Sequence, residues 1–127
     1  SYNIKILVNG TDKFIEIVPN FVWNMPTPYK EIKGKPSEVY SQKASILIIK
    51  GDLNYRRLVE DKNWPYDNRI EKLTSYIHCP TLVVRSIKSD LVLDFYGKGK
   101  SRYKLWERND KYWKENGEYG VIRFIHT

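Results

Sequence analysis

Cysteine is almost missing: Cys79 stands alone, so no internal disulfide framework holds this chain together. A single thiol fits a reducing compartment, and a cytoplasmic or nuclear setting is expected. No apolar run approaches the roughly 18 residues of a membrane-spanning helix. No basic-then-apolar signal segment opens the sequence. A membrane is therefore not an expected partner. Histidine is scarce as well, with His78 and His126 only. His78 and Cys79 are adjacent and would point apart on an extended chain, and no metal-ligand spacing surrounds them. Internal repeats and low-complexity tracts are absent. Acidic residues are the minority among charges, 15 against 22 Lys and Arg, for a net charge of +7.

What is present suits one globular domain. The 127 residues are 41% hydrophobic and 14% aromatic, with ten tyrosines, enough for one domain with a core but not two. The basic balance attracts anions: nucleic acid, acidic lipid, phosphorylated metabolites or an acidic partner. Charge alone does not choose among them. The clusters at Lys30–Lys35 and Lys98–Lys104 read as solvated lysine-rich surface. Aromatics near the second could stack on single-stranded nucleic acid, but no recognised nucleic-acid motif is present, and nucleic acid is not expected as a partner. Asn9-Gly10-Thr11 matches a glycosylation sequon and is read as a turn.

Residues 1–8 are ambiguous between a strand and a helix end. Phe14–Val18 reads as a strand stopped by Pro19. Phe21–Tyr29, with two prolines and large aromatics, reads as an ordered loop. Pro36 opens a short helix to about Ala44, with Ser37 as cap. Ile46–Ile49 has the pattern of a strand buried on both faces. Asp52 is read as capping a helix to about Glu60. After a loop at Lys62–Asn68, Ile70, Leu73 and Ile77 follow helical spacing until Pro80. Leu82–Val84 is a second buried strand, and Leu91–Leu93 a third short one. Residues 96–104 read as a glycine- and lysine-rich loop, Trp106–Trp113 as mixed helix and loop, and Tyr119–Ile125 as a closing strand. Helices alternating with short buried strands imply an α/β layered sheet.

Two strand ends carry the chemistry. The run Ile46–Ile49 stops at Lys50-Gly51-Asp52, and Leu82–Val84 stops at Arg85-Ser86-Ile87-Lys88. Ligands of open α/β sheets sit beyond the carboxyl ends of strands. Gly51 permits positive φ or close backbone approach. The first helical turn presents N–H groups to an anion. Arg56 offers a bidentate contact to phosphate, and Lys88 a point charge. Read singly, Asp52 is better explained as a helix cap, and Arg56 and Lys88 as surface charges. Parallel neighbouring strands would put them on one sheet edge. Gly99-Lys100-Ser101 fails as a P-loop because Asp94 stands where its first glycine belongs. Trp23, Trp64, Trp106 and Trp113 have no regular spacing and read as core and loop anchors.

Lys50-Gly51-Asp52-Leu53-Asn54-Tyr55-Arg56-Arg57-Leu58, followed by Asp61-Lys62-Asn63-Trp64-Pro65, resembles the signature of the family once called domain of unknown function 89. More narrowly it resembles the eukaryotic damage-control phosphatase branch, which includes the acidic residue methyltransferase 1-like proteins. Arg85-Ser86-Ile87-Lys88 is similar to that branch's Arg-Thr-x-Lys motif. Phe21-Val22-Trp23-Asn24-Met25-Pro26 with Tyr29 is similar to its Phe-Trp-x-x-Pro-x-x-Tyr segment, and Trp113–Phe124 to its final strand. The resemblance runs from about residue 10 over nearly the whole chain.

The resemblance implies a Rossmann-like three-layer αβα sandwich and a metal-dependent phosphatase acting on sugar phosphates and related phosphometabolites. It implies a substrate site lined by Asp52, Leu53, Asn54, Tyr55 and Arg56, with Lys88 on the substrate phosphate. Asp52 and Lys88 are the expected catalytic pair, Asp52 orienting either the loop or a water at the metal. It also implies a divalent metal (Mn, Ni, Co or Mg) whose ligands, an Asp-Asn pair and a later Asp, lie N-terminal to everything matched. The chain is thus expected to be one partial domain, 1–127, the C-terminal portion of a larger enzyme. Its partners would be a phosphorylated small molecule and the missing N-terminal part, and alone it would be inactive. Two departures stand out: Glu60 where the family commonly has glycine, and Ser86 for threonine. The alternatives are an S-adenosylmethionine-dependent protein carboxyl methyltransferase and a small basic module binding nucleic acid or protein.

Overall fold

The computed structural model describes residues 5–8, 11–14, 20–34, 44–94 and 97–126. The chain order is β1 (Lys5–Val8), β2 (Thr11–Phe14), two single 3-10 turns (Phe21–Asn24 and Tyr29–Glu31), β3 (Leu47–Lys50), α1 (Asp52–Leu58), α2 (Ile70–Leu73), β4 (Thr81–Ser86), α3 (Gly97–Asn109) and β5 (Gly120–Ile125). β1 and β2 pair antiparallel as a two-stranded unit. The main sheet has the order β3-β4-β5, with β3 parallel and β5 antiparallel to β4. This is the α/β class that the sequence predicts.

Alternation sets the two faces of that sheet. Ile49, Val83 and Ile125 point into the core with Leu58, Val59, Ile70 and Ile77. Ile48, Leu82 and Phe124 share one row of the opposite face, and Lys50, Val84 and Ile122 the next. A second cluster forms around Trp113, with Ile87, Val92 and Tyr103 buried beside it. The Tyr103 and Trp113 rings stack at 5.5 Å.

Several expectations are corrected. The strand read as Ile46–Ile49 is Leu47–Lys50 and is not buried on both faces: Ile49 is 7% exposed but Ile48 60%. Among the described residues only the inward face of this three-stranded sheet packs against a hydrophobic cluster. Leu91–Leu93 forms no strand; Val92 and Leu93 pack into the two clusters from an irregular segment. The loop expected at 96–104 is instead the start of α3. Tyr103 and Trp106, three residues apart, pack against Trp113, and this contact outweighs the poor helix propensity of glycine. The helix expected through Ile77 is regular only at Ile70–Leu73, after which Thr74 turns its hydroxyl onto the Ile70 carbonyl at 2.9 Å. The Phe21–Tyr29 loop opens with the first 3-10 turn, and the second begins at its last residue. The Pro36–Ala44 helix lies almost wholly outside the described residues, as do Asn9-Gly10 and most of the Phe14–Val18 strand.

Candidate functional site

The turn leaving β3 is built on Gly51, whose φ of 96° and ψ of 156° belong to glycine. Its N–H donates to the Val84 carbonyl at 2.8 Å and so extends the β3–β4 ladder by one rung. Asp52 then begins α1. It was expected to cap that helix, but Gly51 holds the cap position and makes no side-chain cap bond. The carboxylate turns across the sheet edge instead. Asp52 Oδ1 accepts from the Arg85 guanidinium, from the Lys88 N–H at 3.3 Å and from the Ser89 hydroxyl at 3.4 Å. A cap bond would have satisfied one helix donor; this one ties together two strand ends. α1 itself has seven residues and ends at Leu58, so its dipole is short.

Arg85 is the hub of this edge and is 4% exposed. Besides Asp52 it donates to the Leu91 carbonyl at 2.8 Å and to Ser89 Oγ at 3.3 Å. Its guanidinium lies 4.1 Å from the centroid of the Tyr55 ring. Tyr55, 5% exposed, is therefore a buried platform under Arg85, and burial pushes its phenol pKa well up. A buried pair such as Asp52–Arg85 is fixed in place because neither partner can return to water without the other.

The other sequence candidates divide by position. Asn54 is anchored at both ends of its amide: Oδ1 accepts from Tyr29 Oη at 2.7 Å, and Nδ2 donates to the Lys50 carbonyl at 2.8 Å. Tyr29 is held in turn by Arg57, whose guanidinium sits 4.5 Å over its ring and donates to the carbonyls of Val22, Trp23 and Thr27. Leu53 is 62% exposed at the start of α1. Arg56 faces a cleft and pairs with Asp61 through two bonds, at 2.8 and 2.7 Å. That carboxylate holds the Arg56 guanidinium above its ordinary pKa. Lys88 is exposed, and its stem lies over Gly117, where a Cβ would come within 2.7 Å of Lys88 Cε. The Gly117 N–H donates to the Ile87 carbonyl at 3.1 Å, and the Ile87 N–H to the Tyr119 carbonyl at 2.7 Å. This clamp fixes the backbone that carries Lys88.

The structure thus brings Asp52 and Lys88 into direct contact through backbone and carboxylate. It sets Arg56 beside them across Ser89, and it buries Tyr55 below. Ser89 was not named from the sequence, and Arg85 and Asp61, though part of the motifs quoted from it, were given no role at the site. Arg85 had a signal: it shares the inward parity of Thr81 and Val83 on β4. A charge at an inward position needs a buried partner. Among the described residues no three His, Cys, Asp or Glu side chains converge as metal ligands would. The residues described do not by themselves fit a metal, and none of the geometry above depends on one.

Comparison with known proteins bears on the same segments. The family described as damage-control phosphatase ARMT1-like domain matches residues 5–103, a stretch that holds both strand ends. Damage-control phosphatase ARMT1 of Mus musculus is 30% identical over 105 residues, that of Xenopus laevis 30% over 105, and that of Homo sapiens 26% over 106. Each match covers 80% of this chain and 23% of the relative, so the chain spans less than a quarter of the length of the curated relatives it matches. With the family match covering most of its length, the chain belongs to the damage-control phosphatase ARMT1-like domain family.

Proposed function

We propose that this chain is the substrate-phosphate-binding part of a metal-dependent phosphatase acting on sugar phosphates and related phosphometabolites. On this reading it forms the C-terminal portion of a larger, Rossmann-like α/β domain, and the metal's ligands come from outside the described residues. One observation carries the proposal: the Asp52 carboxylate joins the end of β3 to the Lys88 N–H and to the buried Arg85, which holds the two strand ends together with the Lys88 side chain exposed beside them. Lys88 would set a point charge against a phosphoryl oxygen. Arg56 would offer planar donors to another. Asp52 itself is engaged with Arg85, Lys88 and Ser89, which favours a role in holding the surface rather than in proton transfer. Fixed donors aimed at a phosphoryl group stabilise the charge that spreads over its oxygens during transfer.

The test is kinetic. In the full-length protein, with a sugar phosphate and divalent metal, Lys88→Ala and Arg56→Ala should each lower turnover by about a hundredfold, the scale of losing one charge-stabilising donor. Unchanged kinetics for both variants would sink the reading. Salt-sensitive oligonucleotide binding that ignores Lys88 would replace it with a basic binding module.

A further inference from the structure

The turn after α1 carries two consecutive left-handed residues, Glu60 at φ 72° and Asp61 at φ 44°. Neither is glycine, so the conformation is strained. The turn brings the chain back on itself. The Asp61 N–H donates to the Arg56 carbonyl at 2.8 Å. The Asp61 side chain then returns to the same residue: Oδ1 accepts from Arg56 Nε at 2.8 Å, and Oδ2 from Nη2 at 2.7 Å. The two side chains are 36% and 46% exposed. An ion pair this open adds little to stability. The left-handed turn closes α1 through that backbone bond, but closing a helix does not require the Asp61 carboxylate to return to Arg56.

The geometry of the pair suggests another reason. Side-on pairing through Nε and Nη2 occupies two of the five guanidinium N–H donors. Among the described residues none accepts from Nη1. Arg56, Asp61, Lys62, Trp64 and Ser89 line a cleft of about 270 Å³. Ser89 also reaches Asp52, so this cleft borders the strand-end surface. A long arginine side chain on a protein surface samples many rotamers, and binding an anion with it costs that freedom. One clamped on two of its nitrogens has already lost it.

We propose that Asp61 is a positioning residue for Arg56. It fixes the guanidinium so that the Nη1 edge is presented to a phosphate oxygen at the border of the cleft and the strand-end surface. The inference rests on the phosphate reading given above. It assigns to Asp61 no contact with the substrate.

Inorganic phosphate is the probe, titrated into the full-length protein by isothermal calorimetry. Asp61→Asn should weaken binding about three- to tenfold, the scale of immobilising one side chain. Asp61→Glu, which keeps the carboxylate, should recover part of the loss. In an Arg56→Ala background Asp61→Asn should have no further effect, an outcome that a general loss of structure would not produce. Thermal melts of each variant separate affinity from folding. Unchanged or tighter phosphate binding by Asp61→Asn overturns the proposal, as does an equal loss in the Arg56→Ala background. If the unsubstituted protein fails to bind phosphate, or binds it independently of Arg56, the phosphate reading fails first and takes this inference with it.

Discussion

Glu60 sits just past the end of α1, at the position where a left-handed residue closes a helix. The Asp61 N–H bonded to the Arg56 carbonyl is the six-to-one bond of a Schellman ending. Glycine is the usual occupant of the left-handed site because it has no Cβ to strain. The glycine that the resemblance implies for the family at this point would thus have a conformational cause. Glu60 compensates in part by accepting from Lys62 at 2.9 Å and Lys30 at 3.5 Å. Glu60→Ala removes those pairs and keeps the strain, whereas Glu60→Gly removes both. Glu60→Gly should therefore be more stable than Glu60→Ala by about 1 kcal/mol in urea unfolding. Asp94 gives a pH signature. Its Oδ1 accepts from the Ile70 N–H at 3.1 Å, and burial raises its pKa. The native state therefore holds this proton more tightly than the unfolded one, and stability falls as pH rises above about 4, the unfolded value. Asp94→Asn keeps an acceptor for Ile70 and cannot ionise. The stability of wild type relative to Asp94→Asn should decline as pH rises from about 4 and then level off. A difference that stays flat would show that Asp94 does not titrate in this range. Glu60 was legible in the sequence as a departure. Asp61 was not legible as a partner of Arg56, because a contact between residues five apart depends on the hand of the turn between them.

Among the elements, β3, α1 and β4 were readable, and their readability has a cause. Four aliphatics ending at Lys-Gly-Asp can hardly be other than a strand meeting a turn. The parallel pairing that joins Lys50 to Val84 then follows from the connection between them. α3 was misread because glycines and lysines dominate its first turns, and the aromatic packing that holds it involves Trp113, beyond its end. Exposure of β3 on one side was also unreadable. Ile48 is apolar like its neighbours, and whether a face is covered depends on what else packs there. Arg85 binds the readable elements to one another. Arg85→Met should cost about 3–5 kcal/mol, because it leaves Asp52 with an unpaired and nearly buried charge. Arg85→Met combined with Asp52→Asn should recover much of that loss, since no charge is then stranded. Denaturant melts of the two variants decide this, and an equal loss in both would show that packing on Tyr55, not charge, is what Arg85 supplies. Gly117→Ala tests the clamp under Lys88. With φ 72° and Lys88 Cε within 2.7 Å of the added methyl, it should destabilise by about 1 kcal/mol and displace Lys88.

On the scale of the whole molecule, the described residues give the main sheet one packed face and one exposed face. Ile48, Ile122 and Phe124 are 60, 75 and 46% exposed on the latter. Contiguous apolar surface of this kind drives association. The 127-residue chain should bind a hydrophobic dye, and Ile122→Lys with Phe124→Thr should reduce that binding without lowering the unfolding midpoint. Loss of the midpoint instead would mean that this face is covered in the folded chain. The net charge of +7 opposes self-association at low salt, so the dye test is best made where salt screens it. The contact between Lys88 and Asp52 has one more consequence. These residues are 36 positions apart, and a parallel strand pair brings them together. Such a contact cannot arise in any locally folded piece of chain, and it forms late, after the entropy of closing the intervening loop has been met. An anion that needs both residues is thus blind to partly folded species. On the phosphate reading, such an anion at about a hundred times its dissociation constant would raise the unfolding free energy by about 2.7 kcal/mol, because it binds the finished sheet alone.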